Sequence, residues 1–143
     1  MITQRYLETG CALAGAFLSW FFGGLDGLLT LLVVFAVLDQ ITGIMKGYVL
    51  KKWSSEIGFN GIARKVCMFI LVGMANVLGH ELPSGKEVLR DGFIMFYVAN
   101  EGISIIENSI DIGAPVPDGF KERFLSWRNK QLISKNKPEP DDE

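Results

Sequence analysis

Two carboxylates interrupt otherwise apolar runs: Asp39 within residues 27–45 and Glu101 within residues 92–106. An ionised Asp near the middle of a membrane helix costs ~2.5–3.5 kcal/mol on insertion scales. It is tolerated when it is protonated, paired with another helix or wetted. Counted at ~1.5 Å per residue from Met45, Asp39 lies ~9 Å below the end of its run. The alternatives are therefore a shallow, partly solvated carboxylate and a helix–helix or pore contact. Around Glu101, the polar residues Asn100, Ser104, Glu107 and Asn108 recur at intervals of three and four and share one helical side. A helix polar on one side must line water, bury its stripe against partners or lie in the interface. If Glu107 and Asn108 lie beyond the membrane, only Asn100 and Glu101 need that explanation. Asp39, Thr42, Asn100, Glu101, Ser104, Glu107 and Asn108 are the candidate pore or oligomer contacts.

Other chemistry is sparse. Glu101 and Glu107 are six apart and do not stack as a catalytic pair. The single histidine, His80, falls in an expected external loop without ligand-spaced neighbours, where it reads as a solvated residue. Cys11 and Cys67 lie in apolar segments, far from any metal-ligand spacing, and are expected to pack as small hydrophobes. There is no Walker loop, nucleophile elbow, HExxH or Rossmann glycine pattern. The expectation is a non-enzyme with no cofactor, no metal and no nucleic-acid partner.

The elements that carry these residues are read from four apolar stretches in 143 residues. The composition is 49% hydrophobic and 21% charged, and the charges are segregated as in a membrane protein. About 20 residues cross a ~30 Å hydrocarbon core. The expected spans are about residues 10–25, 27–45, 64–82 and 88–107. Eleven of the 14 Lys and Arg residues lie within 46–65 or 121–137. Cytoplasmic loops are enriched in Lys and Arg, so both stretches are placed inside, with both termini cytoplasmic. The expected fold is all-α, a small polytopic membrane protein of four transmembrane helices. The alternative is three spans with the N-terminus outside. The first span reads as retained rather than as a cleaved secretory signal.

Small residues fall at steps of four in the first span, with Gly15, Ser19 and Gly23 among them, and Gly43 and Gly47 recur in the second. They are candidates for close helix packing, within one chain or between chains. Residues 46–65 form an amphipathic connector with a break at Gly58 and Gly61. Its Lys51, Lys52, Trp53, Arg64 and Lys65 are assigned to topology and lipid headgroups. After residue 117 a charged cytoplasmic tail (118–143) begins. Asp118 is the expected cap of an amphipathic helix to about Ile133 that rests on the inner leaflet, with a solvated acidic end from Lys137.

Four pieces taken together resemble the bacteriophage holin family shared with clostridial toxin-secretion systems. They are the Asp39-x-x-Thr42-Gly43 helix end, the Gly58-Phe59-x-Gly61 loop, the Asn100-Glu101-Gly102-x-Ser104 helix, and Gly113-Ala114-Pro115-Val116-Pro117. The resemblance covers about residues 28–125, and Gln40 stands where the family is associated with an aromatic residue. It implies a host inner-membrane protein that associates with itself and with lipid. At a set time it opens holes through which an endolysin reaches the cell wall. The competing expectations are a small ion channel or transporter subunit, a holin-like toxin-secretion protein, and a membrane anchor whose tail recruits a partner.

Overall fold

The computed structural model describes residues 2–52, 54–82 and 86–135. Among them are five α-helices and no strand. Each boundary has a local cause. Helix α1 (Ile2–Phe22) ends where Gly23 and Gly24 take φ of 74° and 104°. Glycine adopts that left-handed backbone without steric cost. The Gly24 N–H then reaches back to the Ser19 carbonyl at 2.8 Å, closing the helix end. Asp26 caps α2 (Gly27–Val49), its carboxylate accepting the Leu29 N–H at 2.9 Å. Helices α3 (Ser55–Glu81) and α4 (Lys86–Asp111) follow. Gly113, at φ 76°, stops α4, and the Ala114 N–H bonds the Ser109 carbonyl at 2.9 Å. Pro115 and Pro117 forbid continuation. In α5 (Asp118–Lys135) the Pro117 carbonyl accepts the Lys121 N–H at 3.0 Å. The cap thus falls one residue before the expected Asp118.

Helix α4 lies between α2 and α3, which touch each other only slightly. The core is built from one stripe of each: Leu29, Leu32 and Ala36; Met68 and Val72; Ile94 and Val98. Their spacing of three and four residues keeps them on one helical face. Leu32, Val72 and Ile94 are fully enclosed. Helix α1 packs along α3, not along α2, and only its C-terminal end is engaged. There Phe22 meets Phe69 edge-on at 6.1 Å, and the Phe21 ring lies where a Cβ on Gly73 would stand.

Among the described residues, two of the four expected spans are long and apolar enough by themselves to cross a membrane: α2 (Gly27–Val49) and the Gly58–Glu81 part of α3. Helix α1 falls short because it starts early and takes in Arg5 and Glu8. Helix α4 falls short because Arg90, Asp91, Glu101 and Glu107 dilute its apolar residues. The expected break at Gly58 and Gly61 is absent, and α3 runs through both. Gly61 lies against the Gln40 amide, where a Cβ would meet its oxygen at 3.2 Å. His80 sits in the last turn of α3 rather than in a loop, and Cys11 and Cys67 face outward instead of packing.

Candidate functional site

The carboxylates on α2 and α4 meet across a lysine on α3. Lys65 Nζ donates to Asp39 Oδ2 at 2.8 Å and also to Glu101 Oε2. Asn108, one of the few buried polar residues, completes the group. Its Nδ2 donates to Asp39 Oδ1 and to Thr42 Oγ1, both at 3.2 Å, while Thr42 Oγ1 donates to the Asp39 carbonyl at 3.0 Å. Every oxygen of Asp39 is therefore engaged. The three charged side chains are only 15–17% exposed. This arrangement answers the cost of placing Asp39 and Glu101 in apolar runs: a buried charge is tolerated when paired and hydrogen-bonded.

Of the seven candidate pore or oligomer contacts, four converge here: Asp39, Thr42, Glu101 and Asn108. Ser104 is half-buried nearby, Glu107 is half-buried, and Asn100 faces outward. Lys65, assigned to headgroups from sequence, instead points into the bundle. Arg64, Lys51 and Lys52 are exposed, and Trp53 lies outside the described residues. Among the packing candidates, Gly15 has nothing within 4 Å of its Cβ position. Ser19 is exposed, Gly23 forms the α1 turn against Asn76 and Arg90, and Gly43 and Gly47 border a cavity, with Asn108 of α4 within 4 Å of the Gly43 Cβ position.

Two ion clusters tie off the bundle ends. At the α1–α2 turn, Arg90 is 4% exposed. It donates to the Phe22 carbonyl at 2.6 Å, to Asp26 at 2.7 Å and to Asp91 at 2.9 Å. Asn76 donates to the Trp20 and Phe21 carbonyls, both at 3.1 Å. These groups satisfy the Phe21 and Phe22 carbonyls, which the end of α1 leaves without a backbone donor. Sequence reasoning missed both residues. The signals were there: an amide inside an apolar run, and an arginine beside the loop placed outside. The hydrogen bond from Arg90 holds the Asp26 carboxyl below its ordinary value, with burial opposing. At the opposite end Asp111 pairs with Lys46 of α2 at 2.8 Å and Arg128 of α5 at 3.3 Å. Lys46 chiefly lowers the Asp111 pKa, burial opposes this, and Arg128 adds to it. The Arg128–Asp111 pair links α5 to the end of α4. No cluster of His, Cys, Asp or Glu suited to a metal occurs among the described residues.

An all-helical fold with two helices of membrane-crossing length and apolarity among the described residues, its inner charges paired within the chain, is compatible with a small membrane protein. The bacteriophage holin family model matches residues 16–129, and the chain belongs to that family. An uncharacterized 14.9 kDa protein of Clostridium perfringens is 36% identical over 127 residues, covering 89% of this chain and 96% of that protein. An uncharacterized protein of Listeria monocytogenes is 37% identical over 135 residues, covering 94% and 96%. A probable holin of Bacillus phage phi105 is 35% identical over 96 residues, covering 67% and 70%. No solved structure matches.

Proposed function

We propose that this chain is a holin that accumulates in the host cytoplasmic membrane, associates with copies of itself, and opens holes at a programmed time to release an endolysin. The observation that carries the reading is the Lys65–Asp39–Glu101 cluster between α2, α3 and α4, in a chain of the holin family. In a single closed chain the cluster is internally satisfied. For the whole cluster to face water, α4 must part from α2 and α3. Water then replaces Lys65 as the carboxylates' partner. A buried ion pair roughly breaks even against solvated ions, so that exchange has a small net free energy. The cluster is thus suited to be a two-state element.

Four crossings with both termini cytoplasmic remain our proposal for topology. Helix α4 needs little apolarity of its own, because its charged side is turned to α2 and α3 while Met95 and Phe96 face outward. Helix α1 exposes Leu13, Phe17 and Trp20 along its length. An apolar belt of that extent requires lipid or another copy against it. Residues 1–117 would form the membrane domain, and residues 118–143 a cytoplasmic tail without enzymatic chemistry.

The test is to express the chain in a bacterium and follow membrane potential and lysis, with and without a cytoplasmic endolysin. The expected result is sudden depolarisation after a delay, with lysis only when the endolysin is present. Gradual, selective and non-lethal flux would instead identify an ion channel. Glu101→Gln and Asp39→Asn should each shift the time of depolarisation. Unchanged timing in both removes the cluster from the opening step.

A further inference from the structure

The weak contact between α2 and α3 leaves a cavity of about 460 Å³ at the basic end of the bundle, beside the Lys65 cluster. Four of its lining residues are glycines, Gly43 and Gly47 on α2 and Gly58 and Gly61 on α3. A Cβ on Gly43 would meet only the Asn108 amide nitrogen, at 3.8 Å, so there is room for a side chain or a ligand.

The charges around this space do not cancel. Asp39 borders it, but both of its carboxylate oxygens are held by Lys65 and Asn108. Lys46 is paired with Asp111. Lys52 and Arg64 also line the cavity, and neither has a carboxylate within ion-pair range among the described residues. Lys65 is shared with Glu101, so the cluster keeps one negative charge, and the surroundings of the cavity carry a surplus of about one positive charge, with Asn60 and Ser104 offering neutral donors. Ile44 and Leu50 form its apolar edge. Cations, apolar side chains and glycines around one space match a phosphate group joined to hydrocarbon.

We propose that this cavity binds the headgroup of one anionic phospholipid, with Lys52 and Arg64 on the phosphate and the acyl chains passing Ile44 and Leu50. The inference rests on the membrane location alone. A lipid seated there would wedge α2 from α3 next to Asp39, so occupancy bears on the same cluster that opening must break.

The test is native mass spectrometry of the full chain in mild detergent, titrated separately with phosphatidylglycerol, phosphatidylcholine and inorganic phosphate. The expected result is saturable retention of one phosphatidylglycerol per chain and little retention of phosphatidylcholine. Lys52→Gln combined with Arg64→Gln should weaken that retention by about tenfold or more. Both side chains are exposed, so the variant is expected to fold. Gly43→Leu, which fills the cavity without removing a charge, should have the same effect. Arg123→Gln with Lys130→Gln on α5 should leave binding unchanged. Equal retention of phosphatidylcholine, or undiminished binding in both cavity variants, overturns the site. Inorganic phosphate that competes as well as the lipid shows an anion site without lipid selectivity and overturns the lipid assignment. No lysis enters the measurement, so its failure and a failure of the holin reading are separately visible.

Discussion

Lys65 is the residue on which the inner cluster depends, because it alone is shared by the carboxylates of α2 and α4. Replacing it by Met would strand two carboxylates in a setting only 15–17% exposed. Removing one partner of such a pair costs about 3–5 kcal/mol, to be read from unfolding of the purified chain in detergent. A loss under about 1 kcal/mol would mean that water reaches the cluster freely. Arg90→Met tests the other end. It leaves the Phe22 carbonyl and Asp26 without their donor. Because the Asp26 side chain is 46% exposed, water takes over part of the role, and the expected loss is about 1–3 kcal/mol. Undiminished stability would show that the end of α1 is satisfied without Arg90.

Glycines at the element scale serve opposite purposes. Gly113→Ala forces a Cβ into φ 76° at the end of α4 and should cost about 1–2 kcal/mol. Gly15→Ala, with nothing within 4 Å, should leave the single chain as stable or raise it by up to about 1 kcal/mol. If the open α1 face meets another copy, the same change should nonetheless move the time of depolarisation; identical timing would exclude Gly15 from that contact. Gly73→Leu belongs with these. The new side chain must displace the Phe21 ring, so α1 should detach while the α2–α3–α4 core keeps its helicity. Trp20 emission, in a background with Trp53→Phe and Trp127→Phe, reports the detachment against circular dichroism of the core.

At the scale of the whole molecule, α5 and the bundle are joined through Asp111, and that joint responds to acid. Asp26 and Asp111 both have folded-state pKa values below the ordinary 3.8. Each therefore contributes in full above that value and loses its contribution as pH falls through its folded value. Stability of the purified chain should hold from neutral pH down to about pH 4 and fall below it. In Asp111→Asn the acid-dependent loss should be smaller. An unchanged acid profile would show that the Lys46 and Arg128 contacts contribute nothing measurable.

The all-helical character and the order of the helices were legible along the chain, because each depends on residues close in sequence. The polar stripe of α4 and the place of Asp39 were legible for the same reason. Lys65 was not. Its neighbours in sequence are the basic connector, and only the antiparallel packing of α3 on α4 turns it inward to meet Asp39 and Glu101, 26 and 36 residues away. Asn76 and Arg90 were likewise hidden, since their partners are the carbonyls of α1, more than fifty residues distant. The sequence by itself determined the family, the helices and which side chains were too polar for lipid. The tertiary structure alone decided where those side chains went, because a buried charge is settled by the partner that folding brings to it.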